Sequence, residues 1–368
     1  MGLTVRLEKR LTPWRAAAVL VPLISIALAL AAAAALLVLV GADPWTTYQA
    51  MALGAFGGKY NLTETLVKAI PLMLTGLGVA VAFRMQFWNI GAEGQLVMGG
   101  FAAAGVALFL PEALPWLPSW LLLPLMGLAG FVMGALWGWV PALLKAYLSV
   151  NEIITSLMLN YVAILWVEYL FVGPWKDPKG FGFPGTAQFV GAAWLPRLTG
   201  RVHLGLIIAL VAAVVLWLVL ARTQWGYEIR VIGENPRAAR YAGISLARNI
   251  ILVMLVSGGL AGLAGFGEVA GISHRLQKGL AVGYGYTAII VAWLGRLQPA
   301  SIVVVAILLA GLLVGGDQLQ ITMGLPASVA LVLQGLILFF VLGGNIFINY
   351  RLRVVRSQPA LAAEEATA

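Results

Sequence analysis

Long apolar runs separated by short polar segments make up most of the chain. The run from Ala16 to Val40 contains no charged residue, and a helix needs roughly 20 apolar residues to cross a bilayer core of about 30 Å. Similar runs recur to the end of the chain. Hydropathy predicts spans near 16–40, 63–83, 95–110, 120–144, 152–172, 203–221, 249–271, 284–295, 299–316 and 326–348. The pattern therefore predicts an all-α integral membrane protein with about ten transmembrane helices.

Two places interrupt the simple pattern of spans. The run at 284–295 is too short to cross a bilayer comfortably, and a half-helix or re-entrant segment is tolerated only where protein shields it. Before the run at 95–110, the stretch NIGAEGQL, from Asn89 to Leu96, sets an acid between two glycines. Glycine permits tight turns and close backbone approach. We therefore expect broken or re-entrant segments among the helices.

Basic residues indicate the orientation in the membrane. With the N-terminus in the cytoplasm, most of the 23 Lys and Arg residues lie on that side, as the positive-inside rule requires. Ten spans return the C-terminus to the cytoplasm, which gives an N-in/C-in topology. The outer segment from Gly173 to Val202 departs from the rule, since it carries four basic residues and four prolines. It either lies on the bilayer surface or receives a partner protein.

Composition excludes several kinds of site. With 61% hydrophobic and only 10% charged residues, the 368 residues could not cover a water-soluble globule with polar side chains. There is no cysteine, there are two histidines, and no Walker A motif or nucleophile–base pair occurs. The net charge of +9 is spread over many loops, which is not the pattern of a nucleic-acid-binding face. We expect no catalytic residue, no metal, no cofactor bound by this chain and no nucleic-acid partner.

Polar residues in or beside the spans are the candidates for function, because an ionised group near the bilayer centre costs at least about 2.5 kcal/mol. Glu93 is one of them, and it follows Trp88 and Asn89 closely. Two hypotheses remain open for its carboxylate. It either accepts hydrogen bonds from backbone amides of a broken helix, or it lines a translocation path, as acids at discontinuous helices can.

A second polar group, from Ser149 to Tyr161, opens the predicted span at 152–172. Asn151 and Glu152 suit the first turn of a helix, where amide and carboxylate groups favour the positive end of the dipole. Thr155, Asn160 and Tyr161 lie deeper. Such a polar face either faces a pore or joins neighbouring helices.

The cytoplasmic loop at 222–248 is too polar to span a membrane. Residues Pro236 to Leu246 read as a short helix, with Asn235 as its N-cap and Pro236 at its first position. One face of that helix consists of small residues. The loop is therefore either a docking surface for another protein or an ordinary solvated loop.

Four segments together resemble the permease subunit of bacterial ATP-binding-cassette (ABC) importers for nucleosides and related simple sugars. They are NIGAEGQL at 89–96, SVNEIITSLMLNYVA at 149–163, GYEIRVIGENPRAARYAGI at 226–244 and GYGYTAIIVAWLGRLQP at 283–299. Because their order and topology match, the resemblance covers nearly the whole chain. It implies a transport subunit without its own ATPase site, which forms the translocation path for nucleosides.

The resemblance also implies partners and sites. It implies a cytoplasmic ABC ATPase that hydrolyses the ATP, a second permease subunit that is homologous or identical, an extracytoplasmic binding protein or lipoprotein, and membrane lipids. The location would be a bacterial or archaeal cytoplasmic membrane, with a multi-pass chain. The implied ATPase contacts are Gly233, Asn235, Ala238, Ala239, Tyr241 and Gly243.

A nucleoside is uncharged, rich in hydroxyls and has an aromatic face, so its path should offer neutral hydrogen-bonding groups and rings. The candidate path residues are Trp88, Asn89, Glu93, Gln95, Asn151, Glu152, Thr155, Asn160 and Tyr161. An ABC permease for a monosaccharide or a branched-chain amino acid is the alternative substrate class. An ion-coupled secondary transporter is the alternative mechanism, with Glu93 or Glu268 as proton site.

We expect one transmembrane permease domain at 1–356, with the cytoplasmic coupling loop at 222–248 and the outer loop at 173–202. The tail at 357–368 has the composition of a disordered segment.

Overall fold

The computed structural model describes residues 3–9, 17–180 and 182–356, so the predicted tail at 357–368 lies outside the described residues. The described chain is mostly helical, as the apolar runs predict. Its helices are α1 (Ala17–Leu39), α2 (Pro44–Phe56), α3 (Lys59–Arg84), α4 (Ala92–Ala113), α5 (Leu122–Leu148), α6 (Glu152–Val172), α7 (Gly205–Arg222), α8 (Gln224–Glu234), α9 (Pro236–Tyr241), α10 (Leu246–Glu268), α11 (Tyr284–Leu294), α12 (Pro299–Met323) and α13 (Ala327–Asn349).

Seven of the described helices are long and apolar enough to cross a membrane: α3, α4, α5, α6, α7, α10 and α12. An eighth span results if the helix pair Leu23–Leu39 and Pro44–Phe56 counts as one broken span. The chain is therefore a multi-pass membrane protein. The other predicted runs, at 16–40, 284–295 and 326–348, are the helices α1, α11 and α13.

Two short antiparallel strand pairs accompany the helices, which the all-α prediction did not include. Strand β1 (Leu3–Lys9) pairs with β4 (Tyr350–Arg356), so that Leu3 lies opposite Arg356 and Lys9 opposite Tyr350. Strand β2 (Arg197–Thr199) pairs with β3 (Val202–His203). Hydropathy missed both pairs because they are short and lie outside the apolar runs.

By its internal contacts the chain divides into two compact units, each described by itself. The larger, Tyr48–Leu325, is built around α10, which packs against α3, α4 and α5. Glycines make these contacts close: a side chain at Gly134 would meet the carbonyl oxygen of Gly258, and one at Gly262 would meet that of Gly130. Small residues let helix backbones approach and exchange dispersion contacts in lipid. The glycine spacing in these two helices is thus a packing surface, as the sequence indicates.

The smaller unit comprises the described residues within Met1–Thr47 and Pro326–Ala368. In it α1 packs against α13, and β1 pairs with β4. Ala29 and Ala33 are fully buried one turn apart on α1, and Ser25, one turn before them, contacts Gly344. Small residues again allow the two helices to approach closely.

The segment at 173–202, which the sequence predicts to be an outer loop, folds against the end of α10 and the residues that follow it. The Leu195 amide donates to the Ala270 carbonyl at 2.9 Å, the Phe189 amide to the His274 carbonyl at 2.8 Å, and the Thr186 amide to the Leu276 carbonyl at 2.9 Å. Residues 269–273 of this region form a π-helical turn. Backbone hydrogen bonds therefore hold the segment to the helices of its own chain.

Candidate functional site

The break between α3 and α4 brings polar residues to the middle of the helices. After Arg84 the chain turns back, and Asn89 donates through Nδ2 to Ser257 Oγ at 2.9 Å. Ser257 lies halfway along α10. Helix α4 consequently begins at about half the depth of α10 and runs outward from there. The stretch NIGAEGQL contains the end of this connection and the first turn of α4, and we call it the break.

Asn89 and Gln95 are buried and bond to each other across this break. Asn89 Nδ2 donates to Gln95 Oε1 at 3.0 Å, and Gln95 Nε2 donates to Asn89 Oδ1 at 3.1 Å. The same Asn89 oxygen accepts from the Gly91 amide at 3.0 Å. A polar group in an apolar environment is stable only when it is hydrogen-bonded. These two side chains therefore stabilise the turn by which the chain re-enters the bundle.

Glu93 joins the break to a helix almost two hundred residues further along the chain. Its Oε1 accepts from the Gly283 amide at 2.8 Å, and its Oε2 accepts from the Gly285 amide at 2.6 Å. Both amides belong to the first turn of α11, where unpaired N–H groups and the positive end of the helix dipole favour an anion. A side chain at Gly285 would collide with the backbone of Glu93. The carboxylate thus caps α11, and the amides it bonds are not those of its own break.

Asn160 joins α6 to both elements. Its Nδ2 donates to the Ile90 carbonyl at 2.9 Å and to the Tyr286 hydroxyl at 3.2 Å, while its Oδ1 accepts from the Gly94 amide at 2.8 Å. The Ile90 amide also donates to Ser156 Oγ at 3.3 Å. The deeper polar residues of α6 therefore connect helices. Asn160 is fully buried.

The remaining polar candidates of α6 serve its first turn. Asn151 Oδ1 accepts from the Ile153 amide at 2.9 Å and the Ile154 amide at 3.4 Å, which makes it the N-cap. Thr155 Oγ1 donates to the Asn151 carbonyl at 3.0 Å. Glu152 is buried and forms an ion pair with Lys145 Nζ at 2.7 Å. The structure does not bring these residues to the break that holds Asn89 and Glu93.

Aromatic side chains form a separate, partly exposed surface near the break. The rings of Trp88 and Trp293 stack with centroids 5.9 Å apart, and Phe83 lies 5.0 Å from Trp88. Both tryptophans stay about 40% exposed, and Tyr161 on α6 is 55% exposed. Sequence reasoning missed Trp293 and Tyr286 as site residues. Their spacing of seven residues places them on one face of α11, and that periodicity could have identified them.

The loop at 222–248, which the sequence predicts to be cytoplasmic, contains two helices where the sequence predicts one. Asn235 caps α9 by accepting from the Arg237 amide at 3.0 Å and the Ala238 amide at 3.2 Å, as predicted. The helix ends at Tyr241 and does not reach Leu246, because Gly243 adopts a positive φ of 77° and reverses the chain. Helix α8, before it, was not predicted.

Four of the six implied ATPase contacts are exposed: Asn235, Ala238, Tyr241 and Gly243. Tyr241 is 94% exposed at the tip of the loop. Ala239 is fully buried, and Gly233 lies against the Arg84 carbonyl, where a side chain would not fit. These two residues contact their own chain, so their expected role in the ATPase contact is not supported by their position.

Polar contacts hold α8 in place. Arg248 Nη2 and Asn249 Nδ2 both donate to Glu228 Oε2 at 2.8 Å. The hydrogen bonds from Asn249 and Arg248 lower the pKa of Glu228 below its ordinary value. Arg84 Nε donates to the Leu297 carbonyl at 2.9 Å. The end of α3 is therefore bonded to the turn after α11, and Gly233 at the end of α8 lies against the same residue, Arg84.

The chain is similar to known proteins over most of its length. The family described as "Branched-chain amino acid transport system / permease component" matches residues 61–342. The glucose ABC transporter permease protein TsgB13 of Haloferax volcanii is 37% identical over 96% of this chain and 95% of its own length. The guanosine ABC transporter permease protein NupP of Bacillus subtilis is 37% identical over 89% and 94%. The nucleoside ABC transporter permease protein NupB of Lactococcus lactis subsp. cremoris is 32% identical over 88% and 90%.

A family match over most of the chain, together with relatives that align over 88–96% of it, establishes the class. ABC permeases form the transmembrane part of an importer, and a separate ATPase hydrolyses the ATP. An ion-coupled secondary transporter is therefore excluded as the mechanism. The chain belongs to the branched-chain amino acid transport system / permease component family, and it is a permease subunit of a nucleoside or sugar ABC importer.

Proposed function

We propose that this permease carries nucleosides, and the cap that Glu93 forms on α11 is the observation that supports it most directly. The N-terminus of a half-helix at membrane depth is where transporters bind anionic substrate groups. Here the carboxylate of Glu93 fills that position. A substrate carboxylate or phosphate would have to displace it. The site therefore favours an uncharged substrate and disfavours the branched-chain amino acid of the family description.

The surfaces that remain accessible suit a molecule with an aromatic face. Three aromatic side chains are partly exposed beside the break: Trp88, Trp293 and Tyr161. Aromatic rings stack on any nucleobase, because every base has a π-face whichever polar groups it carries. The buried amide side chains form their hydrogen bonds with other groups of the protein; they are Asn89, Gln95 and Asn160. In this proposal the rings form the path wall, and the buried amides and Glu93 hold that wall in position.

A monosaccharide is the second candidate substrate. The glucose permease protein TsgB13 and the guanosine permease protein NupP are equally similar to this chain at 37% identity. Sugars also present an apolar ring face that packs on tryptophan, together with uncharged hydroxyls. Three of the predicted path residues are less favoured for either substrate, because their side chains form the N-cap, an ion pair and a backbone hydrogen bond at the start of α6. They are Asn151, Glu152 and Thr155.

The proposed topology is N-in/C-in with about ten membrane segments, α11 being a half-helix. The pairing of β1 with β4 supports it, since the two ends of the chain then lie together on one side. The seven long apolar helices, α1 with α2, α11 and α13 supply the segments. The location would be the cytoplasmic membrane of a bacterium or archaeon, with lipid around the outer helix faces.

The proposed partners are those of an importer. A cytoplasmic ATPase would dock on α9 through Asn235, Ala238, Tyr241 and Gly243, which are exposed together. An extracytoplasmic binding protein or lipoprotein would deliver the substrate. A homologous second permease subunit is supported by Bacillus subtilis, in which NupP and NupQ are both relatives of this chain.

In this proposal, a movement of α9 is transmitted to the break through a short series of contacts. Gly233, at the end of α8, lies against Arg84, and Arg84 bonds the turn after α11. The stacked pair Trp88–Trp293 joins the same two elements one turn further in. Closure of the ATPase would then move α3, the break and α11 as one body, which is a rigid-body change between outward- and inward-open states.

Uptake of radiolabelled nucleosides and of glucose tests the substrate. Cells expressing this chain with its genomic neighbours are compared with cells in which the ATPase is inactivated. We expect ATPase-dependent uptake of guanosine. Uptake of glucose alone would replace nucleoside by monosaccharide, and uptake of a branched-chain amino acid would contradict the argument from Glu93.

A further inference from the structure

A cleft of about 140 Å³ lies between α4, α6 and the residues that lead into α11. Five apolar side chains line it, most of them buried: Val97, Ile164, Val167, Phe171 and Leu280. Three polar side chains complete its lining, and Glu168 and Lys278 are exposed at its rim, together with the half-buried Gln277. We call this space the α6 cleft. None of these eight residues is among the path residues predicted from sequence.

The α6 cleft lies one helical turn from the contacts that hold the break. Val97 follows Glu93 by four residues on α4, so the two lie on one face of that helix. Ile164 has the same relation to Asn160 on α6. Residues 277–281 end just before the turn of α11 whose amides Glu93 bonds. A molecule in the cleft would therefore lie next to the residues that join α4, α6 and α11.

The wall of the cleft that residues 277–281 form is fixed to the segment at 173–202. The Leu276 amide donates to Thr186 Oγ1 at 3.0 Å, and the Thr186 amide donates to the Leu276 carbonyl at 2.9 Å. Both residues are buried. The wall is thus held in place without a ligand, and small-molecule sites are usually preformed in this way.

The polar side chains of the cleft have hydrogen-bonding capacity that the protein does not use. Among the described residues, neither Glu168 nor Lys278 has an ion-pair partner or a side-chain hydrogen bond. Gln277 Oε1 accepts from Arg275 Nε at 2.6 Å, which leaves its Nε2 donors available. A carboxylate only accepts and an ammonium group only donates. The cleft therefore offers free acceptors and free donors beside an apolar floor.

This combination suits a sugar ring. Each sugar hydroxyl both donates and accepts hydrogen bonds, and the ring has an apolar face that can pack on the floor of the cleft. Pockets that enclose a drug-sized ligand measure roughly 300–1,000 Å³, so a cleft of about 140 Å³ takes one ring and not a whole nucleoside. Trp88 and Trp293, the rings proposed to stack on a base, do not line it.

We propose that the α6 cleft binds the sugar ring of the cargo, with Glu168 accepting hydrogen bonds from its hydroxyls and Lys278 donating to them. This inference rests on the proposed function, and it concerns the part of the cargo that guanosine and glucose share. Glu168 lies in the last turns of α6, before the segment at 173–202. Under the proposed topology, cargo that arrives from outside would meet the cleft before it meets the break.

Cysteine labelling of the assembled transporter in membranes tests whether the cleft binds a sugar. The chain contains no cysteine, so Ala281→Cys, at an exposed position of the cleft, adds one thiol to it and leaves the polar groups intact. We expect saturating inosine or glucose to slow modification by N-ethylmaleimide about tenfold, because an occupied cleft excludes the reagent. Hypoxanthine, the base of inosine without its sugar, should have no effect.

Ala192→Cys is the matched control for this labelling. Ala192 is an exposed alanine that lines a different cleft, so its thiol should react at the same rate with and without each compound. Three results would overturn the proposal: no labelling at position 281, labelling that neither inosine nor glucose slows, or labelling that hypoxanthine slows as much as inosine does.

Glu168→Gln, combined with Ala281→Cys, tests the role of the carboxylate. The inosine concentration that halves the labelling rate should rise about tenfold, because hydrogen bonds to a charged group are stronger than those to an amide. The rate without ligand should stay the same, which reports that the cleft is intact. Glu112→Gln, exposed at the end of α4, is the control and should leave the inosine concentration unchanged.

An unchanged inosine concentration in Glu168→Gln would overturn the proposal. The proposed function fails separately, if cells expressing the wild-type transporter take up neither nucleosides nor sugars. Protection of the thiol in Ala281→Cys would still decide whether the cleft binds sugar rings.

Discussion

At the scale of single residues, the polar side chains at membrane depth serve mainly as connections between helices. Glu93 bonds two amides of α11, and Asn160 bonds three different groups on the break and α11. Each bond replaces a contact with water that the membrane cannot supply. Removing one partner therefore leaves the other group buried and unpaired, and that penalty exceeds the net value of the bond.

Glu93→Gln should lower stability, because both carboxylate oxygens accept and an amide offers only one acceptor. Its NH₂ group would face the N–H of Gly283 or Gly285. We expect a cost of about 1–3 kcal/mol and a larger loss for Glu93→Ala, measured as thermal unfolding of the solubilised subunit. If both variants unfolded at the wild-type temperature but abolished transport, the charge of Glu93 would instead be required in the translocation path.

Asparagine-to-aspartate changes distinguish a connecting residue from a cap on the same helix. Asp at 160 keeps the acceptor for the Gly94 amide but cannot donate to the Ile90 carbonyl, so Asn160→Asp should cost about 1–3 kcal/mol. Asn151→Asp retains the cap and should be neutral. The unfolding temperatures of the two variants are measured and compared. Equal decreases for Asn160→Asp and Asn151→Asp would be inconsistent with the described contacts.

At the scale of elements, the short segments between the long helices have features that hydropathy does not reveal. Helix α9 presents exposed residues around a nearly fully exposed tyrosine, whereas α8 is held to α10 through Glu228. The segment at 173–202 is bonded to the residues after α10. Helix α9 is thus exposed, whereas the segment at 173–202 is fixed to its own chain.

Tyr241→Ala should weaken the association with the ATPase about tenfold, which corresponds to loss of one aromatic anchor in an interface. The ring is 94% exposed, so the subunit itself should fold and reach the membrane normally. Tyr227→Ala is the control, because Tyr227 is exposed on the neighbouring helix α8. Co-purification of the ATPase from membranes measures both, and equal retention by the two variants would exclude Tyr241 as the anchor.

Acidification should loosen the outer segment through His203. Burial lowers the pKa of His203 from 6.5 to about 4, with the neighbouring His274 contributing. Because the folded state holds the neutral form, its stability is complete above pH 6.5 and falls between pH 6.5 and 4, by up to about 3 kcal/mol. Hydrogen exchange of residues 186–195 at pH 7 and pH 5 should show this, and His203→Gln should reduce the difference. If hydrogen exchange in His203→Gln depended on pH as it does in the wild type, His203 would not be the group responsible.

At the scale of the whole molecule, the pairing of the first strand with the last joins the ends of the chain. Reporter fusions at the N-terminus and at the C-terminus should therefore report the same side of the membrane, and an insertion after Gly182 should report the opposite side. Reporters that are active only in the cytoplasm, or only outside it, identify the side of the membrane on which each fusion lies. Opposite results for the two ends would contradict both the strand pairing and the proposed orientation.

Sequence reasoning predicted what depends on local pattern. The long apolar helices, the cap at Asn235 and the packing glycines of α5 and α10 each follow from residues close together in the chain. The partners of Glu93 lie 190 and 192 residues away, so no local rule could identify them. Helix α8 and the strand pairs were missed for a related reason, since tertiary contacts stabilise them more than their own composition does.

The cap that Glu93 places on α11 also bears on the energetics of transport. A membrane potential does about 2.3 kcal/mol of electrical work on each elementary charge moved through 100 mV. Under the proposed function the cargo is uncharged, and the carboxylate at the start of α11 is that of Glu93 and belongs to the protein, so the cargo moves no charge of its own. The membrane potential would then contribute nothing to the free energy of moving the cargo, and ATP hydrolysis by the proposed partner ATPase would supply the driving force.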